Sequence, residues 1–543
     1  FFSKGPMTNV AEPMKIEVHL AYEKLPSIDA KGRMVLRSKV KRKKKLKGGK
    51  PPQKPGKGAK AQGKSAKAKN KKKRNKRKKS NVEVTTCPEE VLEDPEDLDT
   101  GYQELRGKVL AKLEEEDRRA EVTEVHRSVN LESKIENILA TDCDTFYLVD
   151  LSTVILKYKY FKEFMPRVQP FYAMKCNPDP FLISTLVACG AGLDVASKPE
   201  MQKGLNAKQN PDNMIFANPC KMGEHIRFAA ESGVTKMTFD NAAELRKVHK
   251  FFPNAEMVLR ILADDSHSTM RFGSKFGANI NTEVRPLLDL AYELGLSVIG
   301  VSFHVGSGCQ SGEAYRNSLL LARKVFDIAE EKGHPMTFLD IGGGFLGTDT
   351  ETVIFADIAK SITKSLDELF PPEIRVIAEP GRYFASECVV LVTTVIARRE
   401  REREDDETHE QSTLVDYYIS DGVYGSFNNM FFDYYQPTPV AMKGTSTPPV
   451  GAKETDSPSC ASKNIELAPE GKTQTIVTPG GTEHRSTLFG PTCDSIDVVC
   501  KDVELPDLEI GDHVYFFNMG AYTAAAASHF NGFAPPKPYY IIS

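Results

Sequence analysis

No stretch of the 543-residue chain approaches 18 consecutive apolar residues, so the sequence offers no membrane-spanning helix. The opening Phe1-Phe2-Ser3-Lys4 lacks both an initiating methionine and the apolar core of a secretory leader, so the chain reads as a fragment or an incomplete gene model, and any upstream targeting information is left open. Ten cysteines contain no CxxC pair and no dense framework, which points to reduced thiols in a cytoplasmic compartment; no metal is expected. Acidic residues are absent from Arg37 to Lys79, a segment holding 23 of the 72 basic residues. Elsewhere 49 basic residues face 74 acidic ones, so the formal net charge of −2 conceals a basic tail on an acidic body. The tail would be drawn to polyanions such as nucleic acid, and the body would not. No aromatic residues interleave with the lysines to stack on bases. The tail therefore reads either as a merely solvated run or as a polyanion-binding, nuclear or nucleolar targeting segment over residues 37–79.

What is present falls into three parts: an N-terminal extension over 1–130, a strand-helix region over 131–388, and a β-rich region over 389–543. Residues 31–82 hold few large apolar side chains and cannot bury enough surface to offset ordering entropy, so most of the extension is expected to lack structure. A short charged helix is possible over Leu105–Leu113, and the folded region is expected from about Asn130. Eight short apolar runs then alternate with segments of helical spacing: Phe171–Met174, Gly192–Val195, Met214–Ala217, Lys236–Phe239, Met257–Leu262, Val298–Phe303, Thr337–Ile341 and Ile374–Ala378. Such alternation implies parallel pairing, and eight units close a (β/α)8 barrel. An open doubly wound sheet is the alternative, disfavoured because no GxGxxG follows the first strand. After Cys388 the rhythm changes to strands at Val389–Ile396, Leu414–Ile419, Ser495–Val499 and Asp512–Phe517. Polar insertions at 398–412 and 438–484 read as surface loops or disorder.

In a parallel barrel the active site gathers just past the C-terminal strand ends. The first strand ends in Lys175, where a desolvated amine with a lowered pKa becomes a nucleophile toward an aldehyde; alone, it would read as a snorkelling lysine. His304 and Ser307 follow the sixth strand in a glycine turn. Gly342, Gly343 and Gly344 follow the seventh, where missing Cβ atoms let backbone N–H groups approach a phosphate, although such a run is also an ordinary tight turn. Glu379 and Arg382 follow the eighth and either pair with each other or hold, respectively, a pyridine nitrogen and a phosphate. Together these groups match the needs of pyridoxal 5'-phosphate: linkage, anchoring, protonation and stacking.

On these motifs the chain resembles the alanine-racemase-like, barrel-type pyridoxal-phosphate decarboxylases, and among them the ornithine decarboxylases, from about Ser133 to the C-terminus apart from the two insertions. The resemblance implies that Lys175 links to the cofactor with Asp194 beside it, that His304 stacks on the ring, and that Arg271 in Met-Arg-Phe-Gly-Ser-Lys-Phe-Gly supports the site. It implies a phosphate held by Ser307, Gly344, Arg382 and Tyr522, with Glu379 at the ring nitrogen. It also implies L-ornithine as substrate, bound through Asp421 and Asp494, with Cys493 donating a proton at Cα. In the family Cys493 and Asp494 come from the other subunit of a homodimer. Cys493 would otherwise read as a small buried apolar residue.

The basic tail and both insertions depart from the family pattern, and the chain ends at Ser543 without a longer degradation tail, which puts control by turnover in doubt. An inactive homologue that binds a regulatory protein, as antizyme inhibitor binds antizyme, is the competing class. It is disfavoured by the joint presence of Lys175, Asp194, Arg271, Asp340 and Cys493. A decarboxylase of lysine, arginine or diaminopimelate is the third reading.

Overall fold

The computed structural model describes residues 27–28, 34–35, 95–140, 145–350, 353–404, 411–442 and 483–543. The basic run from Arg37 to Lys79 lies outside them, as does most of the 438–484 insertion.

Eight parallel strands close a barrel: β1 (Val168–Ala173), β2 (Gly192–Val195), β3 (Met214–Phe216), β4 (Lys236–Phe239), β5 (Glu256–Arg260), β6 (Ser297–Ser302), β7 (Phe338–Asp340) and β8 (Arg375–Ala378). Each pairs with the next in sequence, and β8 returns to β1. The open-sheet alternative is thereby excluded. Phe171, Ile215, Val258, Phe338 and Ile377 form a cluster of their own, each no more than 2 % exposed; the lumen is thus a packed core, and chemistry is confined to the mouth. Local signals set the helices between strands. After β1, Asp179 accepts from the N–H groups of Phe181 and Leu182, Pro180 occupies the first helical turn, and Gly190 at φ +102° ends the helix Pro180–Cys189.

A second sheet, of nine strands, is built on Val389–Glu404. It includes Phe146–Asp150, which precedes the barrel in sequence, and Lys537–Ile542, which pairs in parallel with Phe146–Asp150 on one side and with Val122–Glu124 on the other. The strand Phe146–Asp150, inside the range expected for the barrel, therefore belongs to the second sheet.

Two expectations are corrected. The folded region begins well before Asn130: a helix spans Pro95–Glu115, and its Tyr102, Val109 and Leu113 are buried. The charged 398–412 insertion is largely a β-hairpin rather than a loop, with Arg398–Glu404 paired antiparallel to Gln411–Tyr417. Its charges pair across the strands, as Arg401 does with Asp416 at 2.6 Å. Among the described residues no helix is long and apolar enough to cross a membrane.

Candidate active site

Strand register brings the expected groups together. Ala173 at the end of β1 pairs with Asp194 of β2, and one turn later Lys175 Nζ donates to Asp194 Oδ2 at 2.7 Å. Asp194 is buried, whereas the Lys175 side chain is 46 % exposed, so the lysine reaches into open space at the mouth while its amine stays tied to the wall. Burial works against its charge, but Asp194, Tyr522 and Glu379 outweigh it and hold the ammonium above the usual lysine range. The lowered pKa expected from desolvation alone is thus overturned, because strand pairing places a buried carboxylate beside the amine.

Arg260, Ser302 and Asp340 close β5, β6 and β7 on one register row. Asp340 Oδ1 accepts from the Gly342 N–H at 2.8 Å, and no N–H or hydroxyl donor among the described residues reaches its buried Oδ2. Glu379, whose N–H donates to the Gly342 carbonyl at 2.8 Å, is within electrostatic reach of this carboxyl. Burial and the neighbouring Asp340 and Asp194 charges hold Glu379 well above the carboxylate range; burial also raises Asp340, to about 7. Glu379 is therefore held toward its protonated form.

His304 Nδ1 accepts from the Gly306 N–H at 3.0 Å, which leaves the proton of the neutral ring on Nε2. Burial, reinforced by Arg260 and Lys175, keeps the imidazole uncharged. A Cβ at Gly343 would stand 2.6 Å from the Glu379 carbonyl and 3.0 Å from His304 Nε2, and Gly344 adopts φ +109°. The run is therefore a cradle that only glycine permits. Ser307 is set by antiparallel pairing of Ser307–Cys309 with Ser268–Met270, and its Oγ accepts from Arg382 Nη2 at 3.1 Å. Tyr522 enters from the second domain: its N–H donates to the Cys176 carbonyl at 2.9 Å, and its ring lies 5.2 Å from the Arg382 guanidinium carbon.

A free amine at an open mouth, a side-chain-free cradle, an arginine beside a serine hydroxyl and a protonated buried carboxyl fit the aldehyde, phosphate and ring nitrogen of pyridoxal phosphate. Lys175, Gly342, Gly343, Gly344, Ser307, Arg382, Tyr522 and Glu379 are the residues that would hold it. The alternative in which Glu379 and Arg382 pair with each other is not what forms: Arg382 pairs with Asp433.

Other expected residues lie differently. Arg271 is exposed on the loop after Met270 and donates to the Ser266 carbonyl at 3.2 Å. The arginine that acts on His304 and Asp340 is Arg260. A charged residue ending an apolar strand singled out Lys175, and the same signal in Met257-Val258-Leu259-Arg260 marks Arg260. Asp421 is buried and accepts from the Gly422 N–H at 2.7 Å and the Ser426 N–H at 3.2 Å, and burial raises it to about 6. Cys493 is exposed, and Asp494 accepts from the Tyr424 hydroxyl. Asp497, which sequence reasoning left without a role, is 1 % exposed and accepts from the N–H groups of Val423 and Thr492. It thereby joins the loop that carries Asp421 to the loop that carries Cys493.

Comparison with known proteins agrees with this chemistry. Residues 151–386 match the family described as pyridoxal-dependent decarboxylase, pyridoxal binding domain. The chain is 44 % identical over 418 residues to a probable ornithine decarboxylase of Dictyostelium discoideum, covering 76 % of this chain and 83 % of that protein. It is 43 % identical over 403 residues to antizyme inhibitor 2 of Xenopus laevis, covering 74 % and 81 %. Among solved structures it is similar to the arginine decarboxylase of Paramecium bursaria Chlorella virus, with a TM-score of 0.64 at 33 % identity over 76 % of this chain and 99 % of that one.

Proposed function

Because this chain belongs to the ornithine decarboxylase family of pyridoxal-dependent enzymes, we propose that it removes CO₂ from L-ornithine to give putrescine, the entry to polyamine synthesis. The observation that carries this reading is the 2.7 Å contact of Lys175 Nζ with Asp194 at the open barrel mouth, within electrostatic reach of Glu379 and His304. When bound, pyridoxal phosphate supplies an aldehyde and an electron-withdrawing ring.

The remaining work falls to the protein's own groups. Lys175, after its ammonium proton passes toward Asp194, would hold the aldehyde carbon through its nitrogen, with the aldehyde oxygen leaving as water. Glu379, kept protonated by Asp340 and burial, has a proton to share with a basic ring nitrogen. Uncharged His304 offers a flat face without adding a cation beside Arg260. Arg382, Ser307, the glycine cradle and Tyr522 hold phosphate. Asp421 and Asp494 carry the negative charge a distal ammonium needs, and Cys493 Sγ returns a proton to Cα. The family resemblance makes the active species a homodimer with shared sites, and the exposure of Cys493 on a loop braced by Asp497 is compatible with its facing a second subunit. Antizyme is the expected regulatory partner and the cytoplasm the expected location; the basic run over 37–79 is either merely solvated or a segment for polyanion contact and nuclear or nucleolar targeting.

A second reading, a non-catalytic antizyme-binding homologue, is favoured by the 43 % identity to antizyme inhibitor 2. One experiment separates the two. Purified protein is incubated with pyridoxal phosphate, its visible absorbance recorded, and CO₂ release measured from ornithine, lysine and arginine. Release greatest from ornithine supports the proposal, absorbance without release supports the second reading, and no absorbance defeats both the cofactor assignment and the enzyme.

A further inference from the structure

Arg382 does not stand free to meet a phosphate. Its two Nη groups donate to the two carboxylate oxygens of Asp433, and Nη2 also donates to Ser307 Oγ at 3.1 Å. The pair is well enclosed, with side chains 19 % and 4 % exposed. Arg382 follows β8 at the barrel mouth, whereas Asp433 follows the short helix Asn429–Phe432 of the second domain. With the Tyr522 ring 5.2 Å from its carbon, the guanidinium is held by a carboxylate, a hydroxyl and an aromatic ring. Nothing in the sequence around Phe432-Asp433-Tyr434 announces this contact.

An aspartate on an arginine fork has two possible meanings. It can be a stand-in that the phosphate displaces, or a fixed support behind the arginine. Displacement would strand a nearly buried carboxylate without its cation, which is strongly unfavourable. A guanidinium has five N–H donors; Nη2 gives both of its own, to Asp433 and Ser307, and Nη1 gives one to Asp433, so the Nε N–H and one Nη1 N–H remain for a second anion. Fork-to-fork pairing also fixes the guanidinium plane, which a single bond would not.

We propose that Asp433 is a positioning residue that locks Arg382 against Ser307 and Tyr522, so that the remaining guanidinium donors face the cofactor's phosphate. The inference rests on the reading of Arg382 as the phosphate anchor. It makes the second domain a structural part of that anchor.

The test is titration of the cofactor-free Asp433→Asn variant with pyridoxal phosphate and, separately, with unphosphorylated pyridoxal, following the absorbance of the lysine-linked aldehyde. Binding of pyridoxal phosphate is expected to weaken about tenfold, a typical loss when a supporting hydrogen bond behind a ligand-binding group is removed, while pyridoxal binding stays unchanged. Unchanged or tighter binding of pyridoxal phosphate would overturn the proposal, and so would an equal loss for both aldehydes, which signals general damage. If the wild-type protein binds neither aldehyde, the cofactor reading of the site fails instead. Should the variant not fold, a crystal structure of the wild-type protein with cofactor bound decides: Asp433 still on the Arg382 fork supports the proposal, and Asp433 turned away refutes it.

Discussion

Lys175 Nζ and Asp194 Oδ2 are 2.7 Å apart because the β1–β2 register sets Ala173 opposite Asp194. An amine must be neutral to attack an aldehyde, yet this contact holds Lys175 protonated above its usual range against the effect of burial. Asp194→Asn should therefore move the pH midpoint for linkage of pyridoxal phosphate downward, by about one pH unit or more. Lys175→Ala should abolish the linked-cofactor absorbance altogether. A stopped-flow pH series checks both; an unmoved midpoint would show that Asp194 is not what retains the proton.

The buried carboxyls of Asp340 and Glu379 make stability depend on pH. Both are held above their unfolded values, so the folded chain binds more protons than the unfolded chain from about pH 4 to the Asp340 value of about 7. Their contribution is present at low pH and is lost as pH rises through that window, at about 1.4 kcal/mol per pH unit for each proton. His304, held neutral, contributes the opposite slope below about pH 6.5, so the informative quantity is the difference between wild type and Asp340→Asn. Urea unfolding of the two cofactor-free proteins from about pH 4.5 to about pH 7.5 should show the wild type losing stability more steeply with rising pH than the variant. Parallel curves would mean that folding does not raise the Asp340 carboxyl.

The barrel was legible because each strand is a short apolar run ended by a polar or glycine turn, and all eight expected strands overlap the observed ones. Lys175, His304 and Glu379 were singled out by one rule, a reactive group at a strand end, and Asp194 by the family resemblance; β pairing brings Asp194 beside Lys175. Two features escaped for physical reasons. The hairpin of Arg398–Glu404 with Gln411–Tyr417 is nearly all charge on its first strand, so its composition reads as loop, while the antiparallel register that pairs the two strands, and brings Arg401 to Asp416, is not visible in composition. Asp433 meets Arg382 across a domain boundary, and local sequence carries no trace of that distance. Arg260 was within reach of the strand-end rule, but the motif around Arg271 drew attention away from it.

Asp421 gives a separate pH signature. Burial raises its carboxyl to about 6, so it is largely ionised, and able to hold a distal ammonium, only above that pH. The KM for ornithine should fall as pH rises through about 6, and Asp421→Asn should flatten this dependence while raising KM roughly tenfold to a hundredfold, the worth of one hydrogen bond to a charged group. Initial rates of CO₂ release across that range supply the measurement. A KM indifferent to pH near 6 in the wild type would remove Asp421 from the substrate site.

Cys493 and Lys175 supply the decisive test of a shared site. If each mouth uses Lys175 of one subunit and Cys493 of the other, Lys175→Ala and Cys493→Ala homodimers are each inactive, because each lacks one group at both mouths. Dissociating and mixing the two variants in equal amounts makes half the dimers mixed, and each mixed dimer places both substitutions at one mouth and none at the other. Activity should therefore return to about a quarter of the wild-type value. The exposure of Cys493, on a loop fixed from behind by the contacts of Asp497 with Val423 and Thr492, gives it the rigidity such a role requires. If mixing restores nothing although exchanged dimers are present by native mass spectrometry, the two residues serve the same mouth, and the proton donor at Cα must be sought within a single chain.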